Sequence, residues 1–105
     1  MPYKVVFRKQ ASDEALEAAE YIALHSSPHV ALRWYEGLEK AIASLAQMPD
    51  RFALARENRK FKDIELRQLV YKSHRLIFVV RSKTVHVLHV RHVAQKPLEA
   101  IPDDN

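Results

Sequence analysis

Between Ile64 and Val93, three runs rich in Val, Ile, Leu and Phe are separated only by Lys72-Ser73 and Ser82-Lys83. β-Branched runs of that length with two-residue connections read as a three-stranded antiparallel meander. Successive side chains of a strand turn to opposite faces. The cations interleaved here, Arg67, Arg75, Arg81 and Arg91 with His74, His86, His89 and His92, therefore cannot all enter the core. They are expected to line an outer basic sheet surface, and the function is placed on that surface. Strict alternation along the last run puts His86 and His92 on one face and His89 on the other. Three histidines so divided cannot converge on one ion, so no metal is expected.

Upstream, Tyr3–Arg8 alternates as a short strand buried on the side of Tyr3, Val5 and Phe7. Ser12 offers a helix N-cap, with Asp13 and Glu14 in a first turn where the helix dipole favours acids. Ala15, Leu16, Ala19, Ile22 and Ala23 mark the apolar face of the helix that follows. Ser26-Ser27-Pro28 ends it and starts a second one, with Ser27 as cap and Pro28 at the first helical position. That second helix is the most regular segment of the chain: Ala31, Trp34, Leu38, Ala41 and Leu45 recur at helical spacing. Gly37 is the only glycine and lies inside it. A mid-helix glycine costs about 1 kcal/mol against alanine, and close approach to the first helix is the expected compensation. So short a connection makes the two helices an antiparallel hairpin.

Arg51–Lys62 carries neither periodicity and is expected to be a basic loop pinned by Phe52, Leu54 and Phe61. The order is then β-α-α-β-β-β, an α+β two-layer fold with a helical hairpin packed on a four-stranded antiparallel sheet. The first strand is expected to pair antiparallel with the second. Residues 1–98 form one domain, and residues 99–105 an acidic flexible tail trailing over the surface.

Charge is distributed unevenly. Residues 1–50 carry five Lys/Arg against seven Asp/Glu, whereas residues 51–96 carry twelve against three, a local excess of nine positive charges. Such an excess calls for an anionic partner, either nucleic acid or an acidic protein segment. The absence of cysteine excludes disulfides, Cys-ligated zinc and a thiol nucleophile together. No apolar window approaches the roughly 18 residues of a membrane helix, and nothing resembles a signal peptide. A cytoplasmic protein with no membrane association and no cofactor is expected.

Several segments resemble the RelE/ParE superfamily of toxins from type II toxin–antitoxin systems, and most resemble its ParE, or plasmid stabilisation, branch. They are Met48–Asn58 (MPDRFALAREN), Ile64–Tyr71 (IELRQLVY), His74–Val80 (HRLIFVV) and Thr84–Leu98 (TVHVLHVRHVAQKPL). The resemblance spans about residues 3 to 98 and includes the β-α-α-β-β-β order. It implies a basic toxin that inhibits growth, in the ParE branch through DNA gyrase, and that a cognate antitoxin neutralises in a hetero-oligomeric complex. The alternative it leaves open is a RelE-like ribosome-dependent mRNA endoribonuclease. A family member that has lost its toxicity is a further alternative.

Metal-free mRNA cleavage needs a general base for the 2′-OH and cations for the anionic transition state. If the chain is RelE-like, Arg75, which falls in the family's third-strand motif, takes the catalytic role with Arg67, His74 and His92. The arginine such nucleases carry after the last strand is replaced by Ala94-Gln95, and no tyrosine follows Tyr71. Those departures turn the reading toward the ParE branch. There Arg67, Arg75, Arg81, Arg91, His92 and Lys96 form the target- or nucleic-acid-binding surface. Arg67 has a structural alternative, an ion pair with Glu65. The antitoxin's acidic C-terminal segment is expected to insert beside the helical hairpin at Trp34, Tyr35 and Leu38.

Overall fold

The computed structural model describes residues 2–61 and 63–99. The chain runs β1 (Lys4–Phe7), α1 (Lys9–His25), α2 (Pro28–Ser44), two 3-10 turns (Pro49–Arg51 and Arg56–Lys60), β2 (Arg67–Tyr71), β3 (His74–Arg81) and β4 (Thr84–His92). Ser27 Oγ accepts the Val30 N–H at 3.1 Å and Pro28 opens α2, as their order in the sequence implies. The first helix differs. It begins at Lys9 behind Arg8, with no side-chain cap, and Ser12 already donates its N–H to Arg8 O at 2.9 Å. Ser12 is therefore a helical residue, because the strand passes into the helix without the intervening turn that a cap would punctuate.

Two helices on a four-stranded sheet is the architecture expected, but the sheet is mixed, in the order β1-β4-β3-β2. The meander is antiparallel throughout, whereas β1 lies parallel to β4 at the opposite edge from β2. The chain's path explains this. Phe7 sits opposite Val87, and α1 continues in β1's direction along β4, so that Glu14 reaches His89 and Val90. The second helix brings the chain back, and Tyr3 donates its N–H to Ala46 O at 2.8 Å. β2 runs the same way as β1 from the far edge, its first residue Arg67 standing in line with Phe7 through Phe78 and Val87.

A register shift between Ile77 and Phe78 leaves Leu88 as the extra residue of a β-bulge, since Phe78 pairs with Val87 and Ile77 with His89. Val87 and Val90 then both join the helix-side core, while Leu88 joins a second cluster on the outer face. The bulge also separates His86 from His92. A bulge interrupts the two-residue alternation, so the shared face expected for these histidines is not found.

The helix-side core contains Trp34, Leu38, Leu45, Leu76, Phe78 and Val85. The outer face is covered too. Ala55, Leu66 and Leu98 pack there on Ile77, Val79 and Leu88, with Phe61 and Ile64 at the margin. The Arg51–Lys62 region is therefore not an open loop: it leaves one 3-10 turn at Arg51 and contains a second (Lys62 itself lies outside the described residues), and Leu54, 49% exposed, is tied to the sheet by its backbone bridge to Arg67. Leu98 is buried; of the tail expected at 99–105, Glu99 is exposed and residues 100–105 lie outside the described part.

Gly37 is explained by a strand, not by the neighbouring helix. The Tyr71 hydroxyl lies where an alanine methyl would go, with Cζ only 3.0 Å from that position. The same hydroxyl donates to Trp34 O at 2.8 Å, tying β2 to α2. Helix propensity favours Gly37→Ala by about 1 kcal/mol. The overlap should reverse that sign and leave the variant destabilised by about 1–2 kcal/mol. Denaturant titration of Gly37→Ala, Tyr71→Phe and the double variant measures it. The double variant should lose clearly less than the two single losses added, and simple additivity would contradict the steric account.

Candidate functional site

Arg75 does not stand on an outer surface. Its side chain is only 1% exposed, pointing outward from β3 but beneath the Arg56–Lys60 turn. Nη1 donates to Glu57 Oε1 at 2.9 Å and to Gln68 Oε1 at 2.8 Å, and Nη2 donates to Glu57 Oε2 at 2.8 Å. Glu57 is fully buried and also accepts the Leu98 N–H, at 2.9 Å. Burial alone would raise the Glu57 pKa. The hydrogen bonds from Arg75 and from the Leu98 N–H overturn that effect and hold it at about 2. The turn is fixed over the sheet by backbone logic: Ala55 N–H donates to Leu66 O at 2.8 Å, and Asn58 Oδ1 accepts the Leu66 N–H at 2.9 Å. Sequence reading missed Glu57. Its one signal was being the only acid among four bases in Arg51–Lys60.

The other expected cations separate into two groups. Arg67, at the start of β2, donates to Phe52 O at 2.6 Å and to Glu65 at 2.7 Å, so the structural alternative describes its contacts. Arg91 Nη2 donates to Lys96 O at 2.7 Å, and Gln95 Oε1 accepts the His92 N–H at 2.8 Å. These bonds fold the segment after β4 back on itself, which brings Arg91, exposed His92 and exposed Lys96 together at one end of the sheet.

On the helix side of that end, the His92 and His74 rings meet edge to face at 5.3 Å, and His74 packs on Trp34 at 5.1 Å. These three rings line a groove of about 590 Å³ between α1 and the β3–β4 end, with Tyr21, Ile22 and Glu17 on its wall. Burial, and then the charge of His92, lowers the His74 pKa, which favours the neutral imidazole. Trp34 and Leu38 are core residues, 6% and 0% exposed, and Tyr35 packs against the same core. The exposed apolar side chains of the hairpin include Tyr21, Leu24, Val30 and Leu32, which are 62%, 83%, 44% and 58% exposed.

A second cationic cluster lies at the other end of the outer face, where Arg81 is joined by Lys4, Arg8 and His86. Arg8 Nη1 is 3.5 Å from His86 Nδ1, and Lys4 and Arg81 both lie opposite Thr84 in the register. Burial, then Arg8, Arg81 and Lys4, lowers the His86 pKa. Lys4 and Arg8 were not legible as members because β1 was expected beside β2. Elsewhere, His89 hydrogen-bonds Glu14 at 3.0 Å. Among the described residues no three His, Asp or Glu side chains gather as metal ligands would, and no helix is long and apolar enough to cross a membrane.

Breaking a buried pair by removing one partner is costly, whereas replacing both partners with apolar residues is often tolerated. Arg75→Ala should lose about 3–5 kcal/mol, and Arg75→Met/Glu57→Met should recover most of it in thermal or denaturant unfolding. A full-sized loss in the double variant would contradict the pair's role. Acid should act in two ranges. Folded His74 and His86 bind protons less readily than the unfolded chain, so stability falls as pH drops below their ordinary 6.5. The Glu57 contribution is present above 4.5 and is lost as pH falls toward 2. His86→Gln should flatten the upper range in pH-dependent denaturation, and an unchanged slope would exclude His86.

No curated protein matches the chain closely. A solved structure described as a chromosomal ParDE TA system from P. aeruginosa is similar with a TM-score of 0.72. It is 15% identical, and the match covers 86% of this chain and 95% of that one, which supports the shared fold. A family model described as the ParE toxin of the type II toxin–antitoxin system parDE matches residues 5–97, and the chain belongs to that family.

Proposed function

We propose that this chain is a cytoplasmic toxin that arrests growth by binding a protein target, DNA gyrase, and that a cognate antitoxin neutralises it in a hetero-oligomer. Family membership supports the toxin role. The observation that carries the choice of a protein target over RNA cleavage is the engagement of Arg75. A metal-free ribonuclease must aim a cation and a base at one phosphate. Here the arginine of the family motif is committed to buried Glu57 on the outer face, while His74 lies in the helix-side groove. The exposed cationic end formed by Arg91, His92 and Lys96 then serves as a docking surface.

The ribonuclease reading keeps one supporting observation, a half-buried His74 whose neutral form is favoured beside His92 in an open groove. The antitoxin is read as an acidic segment. It is drawn by the basic half of the chain and seats apolar side chains on the exposed Tyr21, Leu24 and Val30 of the hairpin.

The deciding experiment is expression without the antitoxin, scoring supercoiling by purified gyrase alongside mRNA cleavage in a translating extract. Lost supercoiling with intact mRNA is expected. Cleavage of ribosome-engaged message, abolished by His74→Gln, would replace this reading with the ribonuclease. Lys96→Ala should weaken gyrase inhibition about threefold without a change in thermal midpoint, as loss of an exposed charge does. Leu24→Glu should leave inhibition intact and weaken antitoxin binding by at least tenfold, the size of a lost apolar anchor. Equal antitoxin affinity would remove the hairpin end from that interface.

A further inference from the structure

One short turn grips both ends of the segment that follows β4. At its near end, Arg56 Nη2 donates to Val93 O at 2.8 Å. At its far end, Glu57 Oε2 accepts the Leu98 N–H at 2.9 Å, and the Leu98 side chain is buried among Ile77, Val79 and Leu88. Arg91 and Gln95 bond within the same segment. Glu57 is itself held by Arg75 through two hydrogen bonds. Six residues bracketed in this way lose most of their conformational freedom before any partner arrives.

We infer that Glu57 is a positioning residue for target binding: with Arg75 behind it, it latches Val93–Leu98 and thereby sets the arrangement of Arg91, His92 and Lys96. The inference rests on the docking role proposed above for those three side chains. It assigns no contact with the target to Glu57 or Arg75. Their contribution is preorganisation, since a surface that is competent in only a fraction of molecules binds more weakly by that fraction.

Glu57→Gln strands Arg75 and endangers the fold, so the informative variant is Leu98→Pro. It deletes the N–H that Glu57 accepts and leaves the Arg75–Glu57 pair intact. Leu98→Ile, which keeps both the N–H and an apolar side chain, is the control. Amide exchange and gyrase inhibition are measured on the full chain.

In Leu98→Pro the Gln95 amide should exchange at least about tenfold faster while β3 amides keep their protection. The concentration for half-inhibition of supercoiling should rise about five- to tenfold, and Leu98→Ile should match the parent. Parental protection at Gln95 would overturn the latch. Faster exchange with unchanged inhibition would equally overturn the positioning role while sparing the proposed function. If the parent chain itself fails to inhibit gyrase, the functional reading falls, and the exchange result alone decides the latch.

Discussion

The buried ion pair between Arg75 and Glu57 is the interaction on which the outer half of the molecule depends. Two charges removed from water lose several kcal/mol of hydration each, and only close, fully bonded geometry recovers it. Here the bidentate pair, Gln68 and the Leu98 N–H satisfy all the carboxylate oxygens and most of the guanidinium. A polar anchor has one advantage over an apolar one in this setting, because it specifies a position. It sets the Arg56–Lys60 turn at one place over β3 and lets Leu66, Ala55 and Leu98 close over Ile77, Val79 and Leu88. Without that cover, the central strand would expose an apolar face.

The direction taken by the chain after β1 has comparable consequences. Because α1 runs on past the end of β1, it covers the part of β4 that has no strand beside it. There Glu14 accepts the Val90 N–H at 2.9 Å and meets His89. A carboxylate thus substitutes for a missing ladder partner, since a buried backbone donor left unpaired is costly. The same path brings β2 to the far edge and β1 to β4, and so gathers Lys4 and Arg8 around His86. These cations and those at Arg91, His92 and Lys96 therefore gather at two separate ends of the sheet, with His92 turned to the helix side at its end. The end carrying Arg91, His92 and Lys96 adjoins the groove of His74, His92 and Trp34, where apolar and ionisable surfaces meet.

Local chemistry was sufficient for much of the fold. The two-residue breaks Lys72-Ser73 and Ser82-Lys83 connect β2, β3 and β4 as hairpins, even though Lys72, Ser82 and Lys83 adopt left-handed backbone without glycine. Ser27-Pro28 starts α2 because both the cap and the proline act within one turn. The histidines of β4 were misassigned because alternation counts residues, and a single inserted residue at Leu88 reverses the faces on either side. No local signal marks a bulge when the inserted residue is apolar and both faces are buried.

The order of elements, the packing of a hairpin on a four-stranded sheet and the concentration of positive charge after residue 50 are legible in the amino-acid sequence alone. Each of these follows from interactions within a few residues or from composition. That Arg75 is an interior anchor instead of a surface cation, that β1 joins the sheet parallel to β4, and that Leu98 seals the outer face emerge only in the folded chain. The first and last depend on Arg75, Glu57, Gln68 and Leu98 meeting across 7 to 41 positions of chain, and the second on the path the chain takes after β1. A lone acid in a basic stretch reads as surface charge until a buried guanidinium stands opposite it.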